Sequence, residues 1–176
     1  MSRSDVERSG AKGVLTIRRG RQEDKEAIWR VHRRAVSETC ASHYPPEVIE
    51  IWAGRLRPEK YAEAIDRYEF FVAEEGGEIV GFGELGQETG EVQGLYVSPS
   101  VKGRGVGRRL LRKLEERARA HGLKSLSLTA SLNAVAFYER AGFEAVEELS
   151  EAIGPGVVRG SVRMFKSLSG GGAAGG

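Results

Sequence analysis

A chain of 176 residues, 40% of them apolar, is long enough for one sizeable core and too short for multidomain machinery. Its 27 basic and 25 acidic residues leave a formal charge of +2 and a pI near 8.8, too even a balance for a dedicated nucleic-acid binder, so any anionic partner must be met locally. No uncharged apolar run approaches the ~18 to 20 residues of a membrane helix, and the polar opening MSRSDVERSGAKG lacks a signal core. A cytoplasmic protein with no membrane and no nucleic-acid partner is expected. Cys40 is the only cysteine, which excludes an internal disulfide, and His32, His43 and His121 are scattered without metal-ligand spacing, so no metal site is expected.

Residues 1–12 and the run SGGGAAGG at 169–176 are too polar or too glycine-rich to offset chain entropy, and both ends are expected to be disordered around a single domain at 13–168. Val14 to Arg19 alternates like a strand. Gln22 to Val36 carries Ala27, Ile28, Val31 and Ala35 at helical spacing. His43-Tyr44-Pro45-Pro46 breaks the chain, and Glu47 to Trp52 and Glu59 to Ile65 read as short amphipathic helices separated by Gly54 and Pro58. From Glu69 the period becomes that of strands: EFFVAEE, a Gly76-Gly77 link suited to a primed hairpin turn, and EIVGFGEL. Glu91 to Ser98 follows as a strand that stops at Pro99.

The segment VKGRGVG then runs into a helix whose apolar stripe is Val106, Leu110, Leu111, Leu114 and Ala118, ended by Gly122. Leu123 to Ala130 reads as a strand, Asn133 to Arg140 as a helix, Phe143 to Val146 as a short extended piece, and Val157 to Phe165 as the strand that closes the sheet. This order indicates a mixed α/β (α+β) domain.

Three alternate glycines in Lys102-Gly103-Arg104-Gly105-Val106-Gly107 expose successive backbone N–H groups at a helix N-terminus, where unpaired donors and the macrodipole favour phosphate by ~0.3 to 2 kcal/mol. The same glycines would serve a tight turn and close helix packing equally well. A dinucleotide fingerprint would need glycine at Arg108 or Leu110, and the Gly-Lys-Ser/Thr of a nucleotide-binding P-loop is absent.

The strand LYVSP, the loop KGRGVG, the amphipathic helix after it and the downstream NAVAFYERAGF together resemble the GNAT superfamily of acetyl-CoA-dependent N-acetyltransferases, whose signature is Gln/Arg-x-x-Gly-x-Gly/Ala. Lys102 takes the Gln/Arg place, a conservative departure. The resemblance follows element order from about Val14 to Phe165, with its specific part between Glu91 and Phe143. It implies a mostly antiparallel sheet with a splayed parallel strand pair and flanking helices. It also implies a loop whose N–H groups from Lys102 through Gly107, and Arg108 beyond, cradle the pyrophosphate of coenzyme A. By the same resemblance, the strand Leu95-Tyr96-Val97 parts from Leu123 to Ala130, leaving backbone groups for the pantetheine arm and an N–H to polarise the thioester carbonyl. The implied partners are acetyl-CoA, an amine acceptor and, commonly in that family, a second copy of the chain.

Acetyl transfer to an amine poses two proton problems. Presenting a neutral lysine-like amine, pKa ~10.4, at pH 7 costs about 4 to 5 kcal/mol, and the leaving thiolate needs a donor. Tyr138 stands where the family commonly places a tyrosine beside the coenzyme sulfur; its other use is aromatic packing, as for Phe137. Asn133 is either a helix cap or a coenzyme contact. Glu91 matches the base position of the histone-acetylating branch, on a strand face that alternation would share among residues 91, 93, 95 and 97. Glu84 on the preceding strand, or a water chain, are the other routes.

His43, Tyr44 and Trp52 lie in the segment that, by resemblance, overhangs the acceptor, and are its candidate binding residues. Most of the arginine-rich helix face is expected to be wet surface, with only Arg104 and Arg108 near the anion. Cys40 has no evident activating partner, so direct transfer without an acetyl-enzyme is expected. The alternatives weighed against this are a non-catalytic coenzyme-binding regulatory module and, more remotely, an arginine-rich nucleic-acid binder.

Overall fold

The computed structural model describes residues 13–169; the expected disorder of 1–12 and of the glycine-rich end from 170 onward lies outside the described residues. The chain opens with β1 (Leu15–Arg19) and α1 (Lys25–Arg34), which continues as a wide π-type turn over Ala35–Thr39. The single helix expected over Gln22 to Val36 is thus a 3-10 turn at Gln22–Asp24, α1 and this wider turn. Two further helices follow, α2 (Pro46–Arg55) and α3 (Pro58–Arg67), each with a proline in its first turn. Pro46 and Pro58 therefore start helices rather than merely separate them, because proline's fixed φ and missing N–H cost nothing where that N–H would be unpaired anyway.

Strands β2 (Glu69–Glu75) and β3 (Glu78–Leu85) form the hairpin, turning on Gly76 and Gly77 with φ of 60° and 81°, the two positive values a primed turn requires. Then come β4 (Glu91–Val97), α4 (Val106–Ala120), β5 (Ser125–Ser131), α5 (Val135–Arg140), β6 (Glu144–Gly154) and β7 (Val157–Ser167). The short extended piece expected at Phe143 to Val146 is instead an eleven-residue strand. Glu144, Glu147, Glu148 and Glu151 give β6 neither strand propensity nor alternation, and it is pairing with β7 out to Gly154↔Val157 that extends it.

The seven strands form one sheet in the order β1-β2-β3-β4-β5-β7-β6. The strand expected to close the sheet, β7, lies inside it, and β6 is the edge. All neighbours are antiparallel except β4 and β5, which are parallel and pair only at Glu91↔Ser127 and Val92↔Leu128. Just past Val92, β4 carries a bulge at Gln93, the residue skipped between Leu85↔Val92 and Glu84↔Gly94. A bulge bends its strand, and here it coincides with the point where β4 leaves β5.

On one face of the sheet α4 buries Val106, Leu110, Leu111, Leu114 and Ala118 against the main core. Gly81 and Gly83 let it approach: a Cβ at either would stand 3.0 or 3.1 Å from Leu110 Cδ1 or Leu114 Cδ1. On the opposite face α1 and α3 cover Phe70, Val72 and Phe82, while α2 packs Val48 and Trp52 against Ile153 and Val157 at the far end of the β6–β7 hairpin.

Candidate active site

The loop between β4 and α4 is shaped by Gly103 and Gly105, both at φ +79°, a conformation that L side chains rarely adopt. Two of its N–H groups are used locally, Lys102 N donating to Pro99 O and Arg104 N to Val101 O, each at 3.3 Å. The N–H groups of Gly103, Gly105, Val106, Gly107 and Arg108 have no acceptor among the described residues. Five unpaired donors at the N-terminus of a fifteen-residue helix form a cradle for an anion. Arg104 pairs with Glu75 at 2.8 Å, whereas Arg108 is exposed and unpaired among the described residues.

From this loop a cavity of about 170 Å³ runs between Leu95–Val97 of β4 and Asn133, Phe137 and Tyr138. It shares Leu95, Tyr96, Ser131 and Tyr138 with a smaller space of about 40 Å³ inside the β4–β5 gap, reaching Gly94 and Thr129. Tyr138 is therefore at the junction of the two. Its ring packs edge-on against Phe137 and Phe143, its hydroxyl has no partner among the described residues, and burial pushes its pKa well above the usual phenol value. Packing and an available donor coexist in this one residue.

Asn133 makes no helix cap: the 3-10 turn Leu132–Ala134 starts from Ser131, and no side-chain cap bond occurs at either it or α5. Instead its Oδ1 is buried without a hydrogen-bond partner beside the larger cavity. An orphaned acceptor there costs free energy unless a ligand or water supplies a donor.

The bulge at Gln93 changes the face on which the strand glutamate lies. Val92, Leu95 and Val97 pack toward α4, so Glu91 is on the opposite face, out of phase with the sharing expected among 91, 93, 95 and 97. Glu91 also sits where β4 and β5 are still paired, and its carboxylate accepts a hydrogen bond from Gln93 Nε2 at 3.2 Å. Glu84 pairs in register with Gly94, and its Oε1 lies 3.0 Å from where a Gly94 Cβ would be. The carboxylate thus lies against the backbone of Gly94, which lines the smaller space, while Glu84 itself lines neither cavity. Burial pushes the Glu84 pKa up to about 7, partly opposed by the charge of Lys60.

The three acceptor candidates stand apart from both cavities. His43 is exposed, with Nδ1 2.7 Å from Ser42 Oγ. Tyr44 is buried as a latch, donating to Gly160 O at 2.6 Å and accepting from Leu132 N at 2.9 Å. Trp52 is buried under Arg159, whose guanidinium carbon lies 4.7 Å from its ring centre.

Cys40, which sequence places outside the coenzyme motifs, is brought to the wall of the larger cavity with Ala35 and Thr39 by the wide turn after α1. Burial raises its thiol pKa to about 11 despite the neighbouring Ser131 and Asn133, which keeps it neutral and a poor nucleophile. No sequence signal marks that turn. Gly94 did carry one, since an isolated glycine within a strand pattern indicates a bulge or a close approach.

Comparison with known proteins agrees with this geometry. The acetyltransferase (GNAT) domain family matches residues 40–158. The uncharacterized N-acetyltransferase YjgM of Escherichia coli (strain K12) is 32% identical over 168 residues, covering 86% of this chain and 94% of that protein. The IAA acetyltransferase of Azospirillum brasilense is 38% identical over 111 residues, 55% of this chain and 72% of its own. Among solved structures, a GCN5-related N-acetyltransferase from Rhodopseudomonas palustris superposes with a TM-score of 0.82 at 29% identity, over 90% of this chain and 98% of that one. The PaiA N-acetyltransferase of Thermoplasma acidophilum, solved in complex with coenzyme A, gives 0.74 at 26% identity over 88% and 99%. The chain belongs to the GNAT N-acetyltransferases and is an acyltransferase. No helix among the described residues is long and apolar enough to cross a membrane.

Proposed function

We propose that this acetyltransferase takes its acetyl group from acetyl-CoA and passes it directly to a primary amine. The observation that carries the reading is the path from five unpaired N–H groups, along the parted edge of β4, to Tyr138 and on to Gly94, against which the Glu84 carboxylate lies. The fit to the coenzyme is chemical at each stage. The donors suit a diphosphate, the unpaired edge of β4 past Val92 suits the amides of a pantetheine arm as an added strand would, and the orphaned Asn133 Oδ1 offers one of those amides an acceptor.

Acetyl-CoA bound there would supply an activated thioester carbonyl, and the chain's own groups handle the protons. Glu84, with a pKa near 7, is substantially ionised at neutral pH and basic enough to draw a proton from an incoming ammonium. Glu91, hydrogen-bonded to Gln93 at the closed end of the gap, is the weaker candidate base. Tyr138 stays protonated and is the donor for a leaving thiolate. A β4 N–H beside the thioester would polarise the carbonyl; in acyl transfer one such donor is worth ~2.7 to 4 kcal/mol of barrier. Neutral Cys40 leaves no reason to route the acetyl group through the protein.

Titration calorimetry with coenzyme A and acetyl-CoA, followed by thiol release across a panel of primary amines, tests this. Binding of both and amine-dependent release are expected. Absence of heat with either removes the coenzyme from the account, and release driven only by alcohols or thiols removes the amine.

A further inference from the structure

The gap between β4 and β5 is a wedge with a closed end. It starts from nothing at the Val92↔Leu128 pair, holds about 40 Å³ beside Gly94 and Thr129, and opens past Tyr138 into the cavity of about 170 Å³ that leads to the glycine loop. Its end is walled by packed side chains, since Val92 and Leu128 are both buried in the main core with Leu110, Leu114 and Leu126.

The order of groups along an acyl-coenzyme fixes what would enter this end, granting the coenzyme reading above. The diphosphate is at one extremity, the pantetheine arm follows, then the sulfur, and the acyl chain comes last. With the diphosphate on the loop and the sulfur near Tyr138, the acyl chain occupies the wedge and points at Val92 and Leu128. A water molecule needs ~10 to 15 Å³ of such space, so the wedge takes about three or four small groups, the heavy atoms of an acetyl or propionyl group. A longer chain must displace close-packed core side chains or turn back toward the acceptor.

We propose that the resealed end of the β4–β5 gap is an acyl-length gauge, with Val92 and Leu128 as its stop, that admits two- and three-carbon acyl groups and rejects chains of four carbons or more. In packed pockets one methylene changes discrimination by ~10 to 200-fold.

The test needs no knowledge of the acceptor. Calorimetry on the full chain compares free coenzyme A with its acetyl, propionyl, butyryl and hexanoyl thioesters. Acetyl- and propionyl-CoA are expected to bind within about threefold of free coenzyme, and the butyryl and hexanoyl forms at least tenfold more weakly. Leu128→Ala should recover most of the lost butyryl-CoA affinity while leaving that of free coenzyme within about twofold.

If Leu128→Ala unfolds, Ala134→Val supplies the reverse test. Ala134 is half-buried and lines both spaces, so narrowing it should weaken propionyl-CoA more than acetyl-CoA. Hexanoyl-CoA binding as tightly as acetyl-CoA, or a length profile that the folded variants leave unmoved, overturns the gauge while leaving the coenzyme reading intact. Failure to bind free coenzyme A overturns both.

Discussion

Glu69 and Glu84 are near neighbours in the β2–β3 ladder, pairing with Leu85 and Phe70 respectively, yet the two sides of the sheet treat them in opposite ways. Glu69, on the α4 side, meets Arg19 at 2.9 Å, Arg117 at 3.1 Å and His121 Nε2 at 2.9 Å. Burial alone would raise its pKa, but the hydrogen bonds from Arg117 and His121 and the charge of Arg19 hold it down at about 2. Glu84, on the other side, has no hydrogen-bonded cation among the described residues, so burial prevails and its pKa rises to about 7. On the function proposed above, a proton-transfer group is made here by withholding partners. Two arginines and a histidine hydrogen bond make a carboxylate a structural anchor, and their absence leaves one whose pKa burial can raise toward neutrality.

The largest test of that contrast is Glu84→Gln, expected to lower kcat by roughly 100 to 10,000-fold and to abolish the rise of kcat/KM with pH through about 7. A pH–rate profile reads both, and an unchanged profile would move the base elsewhere. Tyr138→Phe should lower kcat by about 10 to 1,000-fold with little change in coenzyme affinity, as steady-state kinetics paired with calorimetry would show.

Gly94→Ala sharpens the comparison, because its Cβ would stand 3.0 Å from Glu84 Oε1 and make the carboxylate give by a few tenths of an ångström. A fall in kcat of roughly 2 to 10-fold is expected in a protein that still folds. Glu69→Gln is the counterpart that should leave kcat unchanged and cost stability of roughly 2 kcal/mol at pH 7, the partners being partly exposed. The folded-state pKa of Glu69 lies below the ordinary 4.5, so its stabilisation is full above that value and is lost as pH falls toward 2. Denaturant unfolding at pH 7 and pH 3 should show the wild type losing stability on acidification and E69Q losing less.

What could be read along the chain was whatever depends on short range. The Gly76-Gly77 hairpin, the stripe on α4 and the glycine loop are each set by a few consecutive residues, and each occurs where the pattern puts it. Helix starts were harder: Pro46 and Pro58 read as breaks, although a proline in the first turn suits a helix start equally well. Strand β6 was the least legible element, since its glutamates argue against a strand until β7 lies beside it. In the site, strand alternation placed Glu91 with Leu95 and Val97, and one bulged residue at Gln93 reversed that face.

The sequence by itself determined the anion cradle, because φ-positive glycines and a helix N-terminus need no distant partner to leave N–H groups unpaired. It likewise determined the order of elements along the chain, the length of β6 excepted. Only the tertiary structure decided which glutamate burial raises toward neutrality, whether Cys40 lies on the cavity wall, and how far the β4–β5 gap extends. The physical reason is that burial, register and the distance to the next charge are properties of chains packed together, whereas a turn's dihedral angles belong to the residues that make it.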